Sequence, residues 1–268
     1  MSFKDEYEIL EDKACYFASS AEFLLLYNMK TDKLNRRLFL KIILAFFGAI
    51  LTIFGFLKFF GEKKVIIKKG VTIELPSPRK DSKVSIEKAL EKRRSIREYT
   101  NKPLSLFEVS QLLWAAQGIT EPLRKFRTAP SAGALYPLEL FLVVGNIENL
   151  ESGIYHYDIP SGNLILYKKG DFRKELAVAA VDQECVENAA MNMVLCAIYE
   201  RTTKKYGNRG KRYVHIEVGH VGQNIYLQAE SLNIGVVVIG AFYDDMVQKI
   251  LEVVEEVKPL YIISVGKK

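Results

Sequence analysis

The order of apolar and polar residues sets one stretch of the chain apart. Residues 38–57 are almost wholly apolar, and the two nearest lysines, Lys41 and Lys58, stand close to the ends of the run. About 20 apolar residues, at roughly 1.5 Å each, match a hydrocarbon core about 30 Å thick. The pattern therefore predicts one membrane-spanning helix over residues 36–60, with a buried core helix as the alternative. Residues 1–35 mix charged and apolar positions and are predicted to form an amphipathic N-terminal segment.

Two arginines precede the apolar run. Arg36 and Arg37, followed by Leu38, Phe39 and Lys41, resemble a twin-arginine export signal, and an ordinary anchor with cations at one end is the alternative. Lysines crowd the far side of the run as well, so charge favours neither orientation of the helix. No small-residue cleavage site follows, which predicts that the helix stays attached and that the protein is a single-pass membrane protein.

The remaining pattern predicts a linker and one soluble domain. Residues 61–84 contain Pro76, Pro78 and several lysines, a composition that is typical of a linker. Residues 191–199 are apolar throughout, which fits a central strand or a buried helix, and we favour the strand. The other elements all fall in a domain over residues 85–268, with helices predicted at 85–92, 105–117, 171–179 and 212–232 and strands at 140–144, 154–157, 164–167, 236–239 and 261–265.

Composition narrows the classes of function. The net charge of +6 suits an anionic cofactor or lipid headgroups, but scattered lysines without a basic stripe argue against a nucleic-acid partner. Three cysteines show no C-x-x-C spacing, and their odd number argues against a disulfide framework. With three histidines in the whole chain, no protein-built metal site is expected.

A cluster of arginines follows the first predicted helix of the domain. In an extended backbone the side chains of Arg93, Ser95 and Arg97 would point the same way, because successive residues alternate between two faces. Forked guanidinium donors beside a hydroxyl suit a terminal phosphate. The alternative is a solvated helix end whose cations interact favourably with the helix dipole.

A second cluster consists of small residues between two prolines. Residues 130–137 read Pro-Ser-Ala-Gly-Ala-Leu-Tyr-Pro and lead directly into an apolar strand. Small residues held by prolines predict a rigid loop whose backbone can approach a flat ligand closely.

Four motifs in order resemble a known family. Residues 93–97, residues 130–137, the Gly-His-Val-Gly-Gln-Asn run at 219–224 and the Ile-Gly-Ala-Phe run at 239–242 are together similar to the nitroreductase superfamily. Within it they are most similar to the SagB-type thiazole/oxazole oxidase branch, whose loop reads Ser-Ala-Gly-Ala-Leu-Tyr-Pro. The resemblance covers residues 85–268.

The resemblance implies an α+β fold, in which a mixed, mainly antiparallel sheet is flanked by helices. It also implies a homodimer with FMN at the subunit interface, so that the face with Gly219 and Gly222 on the long helix would pack across the dimer. The cofactor-binding residues carried over are Arg93, Arg94, Ser95 and Arg97 towards the phosphate and ribityl chain, Ser131, Ala132 and Ala134 at the flavin ring, Gly240 and Ala241 near flavin N5, and Lys267 closing on the phosphate.

The resemblance also implies the chemistry. Flavin N5 would accept and return a hydride, with NAD(P)H as a candidate electron donor. The azoline-oxidising branch uses a Lys-Tyr pair on the substrate proton, and Lys205 with Tyr206 resembles that pair; the alternative is an exposed basic turn over residues 202–207.

Three functions remain open at this point. The first is a membrane-anchored, FMN-dependent oxidoreductase that acts on a small organic substrate. The second is an azoline (thiazoline or oxazoline) dehydrogenase of peptide maturation. The third is a flavin-binding membrane subunit that serves electron transfer or assembly without a substrate of its own.

Overall fold

The computed structural model describes residues 70–268. The amphipathic segment, the membrane-spanning helix and the export signal predicted for residues 1–60 lie outside this range and stay predictions. Among the described residues, no helix combines the length and the apolar character that crossing a bilayer requires.

A seven-stranded sheet forms the centre of the described domain, in the order β1-β6-β5-β4-β7-β9-β8. Every neighbouring pair in it is antiparallel, so the sheet expected to be mixed is antiparallel at each described pairing. A small hairpin, β2 with β3, stands apart from it. The strands are β1 (Val71–Ile73), β2 (Ile119–Glu121), β3 (Phe126–Arg127), β4 (Leu138–Val144), β5 (Gly153–Asp158), β6 (Asn163–Lys169), β7 (Met191–Ile198), β8 (Ile234–Ile239) and β9 (Val257–Lys267).

Helices begin where the sequence supplies capping groups. The hydroxyl of Ser85 accepts a hydrogen bond from Lys88 N, and Ser105 with Glu108 forms a complete capping box, so both helices begin where the sequence pattern predicted. The helices are α1 (Ile86–Lys92), α2 (Leu106–Gln117), α3 (Arg173–Ala179), α4 (Glu184–Glu187), α5 (Glu200–Tyr206), α6 (Arg209–Leu232) and α7 (Asp244–Leu251).

The helices cover both faces of the sheet, because alternate residues of the central strands are apolar on both sides. On β4, Leu140 and Leu142 pack with α2 and α6, whereas Phe141 and Val143 pack with α3, α4 and α7. All seven residues of β4 and all eight of β7 are buried, which confirms the strand favoured for residues 191–199. The result is an α+β domain in which helices flank an antiparallel sheet.

The domain begins earlier than the sequence pattern suggested. Residues 71–73, which were assigned to the linker, form β1 and pair with β6 at the edge of the sheet. Farther along, Pro76 O accepts a hydrogen bond from Ser110 Oγ at 2.5 Å, and Arg79 N donates to Gln111 Oε1 at 2.8 Å. A three-residue strand is too short to show a period of its own, so only pairing with β6 reveals it.

Candidate functional site

The arginine segment is anchored on helix α6 by one tyrosine. Arg93 places its guanidinium carbon 5.1 Å from the centre of the Tyr226 ring, and Ser95 Oγ lies 2.9 Å from Tyr226 Oη. Ile96 N donates to Val236 O at 2.9 Å, which fixes the segment beside β8. The structure therefore brings Arg93 and Ser95 together on one surface, as the alternation predicted.

The other two arginines have different surroundings. Arg94 turns back and donates from Nη1 to Glu91 O at 3.1 Å and to Arg93 O at 2.7 Å. Arg94 therefore satisfies backbone carbonyl groups at the C-terminus of α1. This is the helix-end role given above as the alternative for the arginine cluster. Arg97 is exposed. Burial raises the pKa of Tyr99 and of Cys185, and the positive charge of the nearby Arg97 offsets part of that rise.

Lys267 has a carboxylate partner within the chain. Its Nζ lies 2.5 Å from Glu108 Oε1, and Glu108 is the capping-box residue of α2. Burial alone would raise the pKa of Glu108, but the hydrogen bonds from Lys267 and Ser105 outweigh burial and hold that pKa below its usual range. Among the described residues, by contrast, neither Arg93 nor Arg97 has a carboxylate within ion-pair distance.

Gly240 and Ala241 follow strand β8 at its exposed end. Both are exposed, and a Cβ added at Gly240 would come no closer than 3.6 Å to Tyr261. Ala241 O accepts a hydrogen bond from Gln183 Nε2 at 3.4 Å. The segment is thus an exposed stretch of backbone that a planar ligand can approach.

The loop over residues 130–137 is held in an unusual conformation. Ala134 and Tyr136 have positive φ angles of 53° and 46°, next to Gly133 at 64°. Left-handed conformations of residues other than glycine cost roughly 1–2 kcal/mol each and persist only where surrounding contacts enforce them. Here Tyr136 N donates to Ser131 Oγ at 2.9 Å, and Arg127 N donates to Tyr136 Oη at 3.2 Å.

Lys205 and Tyr206 lie against this loop. A Cβ added at Gly133 would stand 2.8 Å from Tyr206 Oη and 3.1 Å from Lys205 Nζ. Both residues belong to the last turn of α5, where Lys205 is exposed and Tyr206 is half-buried. One turn earlier, Arg201 donates to Tyr136 O at 3.3 Å and to Glu139 Oε1 at 2.5 Å. Arg201 therefore docks α5 on the loop and on β4.

Helix α6 separates the two predicted halves of the cofactor site. Tyr226 contacts the arginine segment, whereas Glu217 of the same helix lies near Ser131 of the loop. Nine residues of α-helix correspond to about 13 Å along the axis and about half a turn of net rotation. Within one chain, Arg93 and Ser131 therefore lie against opposite faces of α6.

The two glycines of α6 have different neighbours. A Cβ at Gly222 would contact Tyr261 and Val238 of the same chain, so β8 and β9 account for this residue. No atom of the described residues lies within 4 Å of a Cβ built at Gly219, and the nearby Ile216 is 47% exposed. Within residues 70–268, the Gly219 side of the helix is therefore open to another molecule, whereas the Gly222 side is covered.

A polar network lies behind the loop, and no motif in the sequence predicts it. Arg127 donates from Nη1 to Gln117 Oε1 at 2.8 Å and stacks 4.2 Å from the centre of the Tyr136 ring. Glu217 is 2% exposed, and burial raises its pKa to about 6, although the nearby Ser131 and Arg127 partly counteract the rise. Gln117 Nε2 and Glu217 Oε1 are both buried and have no hydrogen-bond partner in the described part of the chain.

A second network lies beside the loop, in a cavity of about 550 Å³. Glu139 receives Arg201 on one oxygen and lies 2.8 Å from His156 Nε2 through the other. Burial would raise the pKa of Glu139, but His156 and Arg201 outweigh burial and hold it below its usual range. Within residues 70–268, no group of histidine, cysteine and acidic side chains is arranged to hold a metal ion.

Comparison with known proteins gives a consistent match. The model of the Nitroreductase family matches residues 90–267. MJ1384 of Methanocaldococcus jannaschii, provisionally named a nitroreductase, is 44% identical over 199 residues, which are 74% of this chain and 98% of MJ1384. The microcin B17-processing protein McbC of Escherichia coli is 30% identical over 61% of this chain and 62% of its own length. The trifolitoxin operon protein TfxC of Rhizobium leguminosarum bv. trifolii is 26% identical over 74% of this chain and 60% of its own length. The chain thus spans less than two thirds of McbC and of TfxC.

Solved structures show the same fold. A protein of Ralstonia eutropha, provisionally named a nitroreductase, has a TM-score of 0.66 at 26% identity and covers 76% of this chain and 95% of its own. One from Anabaena variabilis has a TM-score of 0.66 at 30% identity, over 74% of this chain and 42% of its own. A chain of the Escherichia coli microcin synthetase McbBCD complex with truncated pro-MccB17 bound has a TM-score of 0.57 at 26% identity, over 79% and 80%.

Proposed function

The chain belongs to the nitroreductase family and is an oxidoreductase of that superfamily, and we propose that it uses FMN to transfer a hydride to or from a small organic substrate. The observation that carries the proposal is a pair of arginines that have no carboxylate partner among the described residues, Arg93 beside Ser95 on Tyr226 and Arg97 in the same segment. An unpaired guanidinium beside a hydroxyl suits a phosphate monoester.

The residues present fit FMN at the phosphate end and at the ring. Arg93, Ser95 and Arg97 would bind the phosphate and ribityl chain. Gly240 and Ala241 expose backbone that can lie flat against a ring. Lys267 fits less well, because Glu108 already holds its amino group. When bound, FMN supplies N5 as the atom that accepts and returns the hydride.

The protein's own residues would bind the flavin, orient it and shield it from water. The loop over residues 130–137 is fixed before any ligand arrives, so little conformational freedom is lost on binding. Its strained Ala134 and Tyr136 hold small residues at the surface, where a flat ring can come close.

The opposite placement of Arg93 and Ser131 on α6 supports a homodimer. In a dimer, one flavin would contact the arginine segment of one chain and the loop of a second copy. The open Gly219 and the exposed Ile216 give α6 a surface for that second copy. We propose two FMN sites, each built by both chains.

The test uses the purified full-length chain. We expect it to carry flavin absorbance and to release FMN, and we expect Arg93→Ala to weaken FMN binding while leaving riboflavin binding almost unchanged, since riboflavin lacks the phosphate. Rapid-mixing reduction by NADH or NADPH then tests for an enzyme. A colourless protein that does not bind added FMN would overturn the proposal, and bound flavin that no donor or substrate reduces would favour the electron-transfer or assembly subunit.

A second candidate function is oxidation of an azoline ring in a peptide. It is favoured by the contact of Lys205 and Tyr206 with the loop and by the similarity to McbC, a microcin-processing protein. Converting an azoline to an azole removes one hydride and one proton from the ring. The hydride would go to the flavin, and Lys205 or Tyr206 would receive the proton as a base.

A further inference from the structure

The cavity of about 550 Å³ is lined by the loop over residues 130–137 and by the end of the β5–β6 hairpin. Its volume falls within the roughly 300–1,000 Å³ that small-molecule sites occupy. The lining combines apolar side chains, among them Leu135 and Ile159, with the cations Arg127 and Arg201. Apolar walls with a few charged groups suit a small organic molecule that has one charged end.

The two arginines of the cavity differ in their partners. Arg201 is neutralised by Glu139, whose Oε1 accepts from Arg201 Nη2 at 2.5 Å and whose Oε2 lies 2.8 Å from His156 Nε2. Arg127 donates from Nη1 to the uncharged Gln117 Oε1 at 2.8 Å. Among the described residues, no carboxylate lies within ion-pair distance of Arg127, and its Nε and Nη2 atoms have no hydrogen-bond partner. Arg127 is therefore the cation of this cavity that an anionic ligand can bind.

The Arg127 guanidinium is held in a fixed place by uncharged groups. It stacks 4.2 Å from the centre of the Tyr136 ring, and Gln117 holds its Nη1 atom. Burial lowers the pKa of Arg127, and the charge of Glu139 only partly offsets the effect. A half-buried guanidinium has lost hydration that the protein does not fully replace, so an anion binds to it more strongly than to an exposed arginine.

The unoccupied edge of Arg127 matches a carboxylate. Nε and Nη2 lie on one edge of the planar guanidinium and can donate two parallel hydrogen bonds to the two oxygens of one carboxylate. A phosphate dianion suits the cavity less well, because Glu139 and Asp158 also line it and would repel a second negative charge. The ligand that fits is a monoanion with a hydrocarbon body.

The cavity adjoins the side chains that were considered for catalysis. Arg201, which lines the cavity, lies four residues before Lys205 on α5, so the two are about 6 Å apart along the helix and both lie against the loop. We propose that the small organic substrate is a carboxylic acid, whose carboxylate binds in this cavity to Arg127. The inference rests on the proposed function, because a ligand of this cavity is a substrate only if a flavin binds at the same loop.

The experiment measures, by calorimetry on the full-length protein loaded with FMN, the dissociation constants of benzoate and of its neutral analogue benzamide. We expect the wild type to bind benzoate about 30-fold more tightly, the worth of hydrogen bonds between charged groups. Arg127→Gln should bring that ratio to about one, and Arg127→Lys, which keeps the charge but not the fork, should retain part of it. The ratio cancels any general effect of the substitution on the loop. Arg124→Gln, which changes an exposed arginine of the same hairpin, is the matched control and should keep the wild-type ratio.

Steady-state kinetics tests whether the bound acid is the substrate. The Michaelis constants for reduction of 4-nitrobenzoate and 4-nitrobenzamide should show the same preference for the carboxylate in the wild type and the same loss of it in Arg127→Gln.

Three results would overturn the inference in distinguishable ways. If flavin binds and is reduced, but the wild type and Arg127→Gln have the same ratio of dissociation constants, Arg127 does not recognise a carboxylate, while the proposed function stands. If calorimetry shows the preference but the Michaelis constants do not, the acid binds in the cavity without being the substrate. If the wild type binds no FMN, the proposed function fails and the inference fails with it.

Discussion

The hydroxyl groups of Ser95 and Tyr226 lie 2.9 Å apart, although 131 positions separate the two residues in the chain. Tyr226 Oη also accepts a hydrogen bond from Val238 N at 3.0 Å, and its ring lies under the Arg93 guanidinium. One phenol therefore joins the arginine segment, α6 and β8. The shape of the proposed phosphate site depends on this side chain, which belongs to none of the binding residues predicted from sequence.

Replacing Tyr226 by phenylalanine should weaken FMN binding. The change keeps the ring under Arg93 but removes the hydroxyl that orients Ser95 and satisfies Val238 N. Loss of one such hydrogen bond costs about 1 kcal/mol, so we expect the FMN dissociation constant to rise by roughly five- to tenfold. Fluorescence titration measures this, with Tyr243→Phe as control because Tyr243 is 59% exposed. Equal affinities of Tyr226→Phe and the wild type would contradict the role given to the phenol.

Replacing Lys267 by alanine should destabilise the protein without any ligand. Glu108 would keep its burial but lose its cation, and we expect the free energy of unfolding to fall by about 2 kcal/mol, as for other hydrogen bonds to charged groups. Denaturant unfolding checks this, and a cycle with Glu108→Gln isolates the pair. If the loss were much larger with FMN present than without it, Lys267 would instead contact the phosphate, as the resemblance implied.

Lys205→Ala and Tyr206→Phe separate the two enzymatic functions. Under azoline oxidation, each variant should slow the removal of two hydrogens from a thiazoline peptide by about 100-fold, since a positioned base contributes about that much. Reduction of the flavin by a nicotinamide donor should proceed at the wild-type rate. Mass spectrometry of the peptide provides the readout. Lys204→Ala is the neighbouring control, because Lys204 is exposed and pairs with Glu200; wild-type peptide turnover in Lys205→Ala would exclude the lysine as the base.

The buried Glu217 should make stability depend on pH in a defined direction. Its pKa is raised from 4.5 to about 6 in the folded state, so the folded protein binds the proton more tightly than the unfolded chain. Stability from this group is therefore full below about pH 4.5 and is lost as pH rises through about 6, by about 2 kcal/mol in total.

Glu217→Gln should remove that loss. We expect the variant to match the wild type near pH 4 and to exceed it by about 2 kcal/mol near pH 8, measured as the difference between unfolding free energies at each pH. Taking the difference cancels the titration of the other carboxylates. A constant difference across the range would show that Glu217 titrates alike in folded and unfolded chains.

Local features of this protein could be predicted from the sequence because they depend on near neighbours. The capping box of Ser105 with Glu108 begins α2, the apolar run at residues 191–199 forms β7, and alternation places Arg93 beside Ser95. The family could also be predicted from the sequence, because its motifs are short continuous runs of residues. The family model that matches residues 90–267 confirms this prediction.

What the tertiary structure decided lies between residues far apart in the chain. Tertiary packing pairs Lys267 with Glu108, which lies 159 positions away in the chain, and buries Glu217. It also turns the Arg94 side chain back onto the end of α1. It also put Arg93 and Ser131 on opposite faces of α6. None of these follows from composition or period, because the partner and the degree of burial of a charged side chain are set only when the sheet and helices pack together.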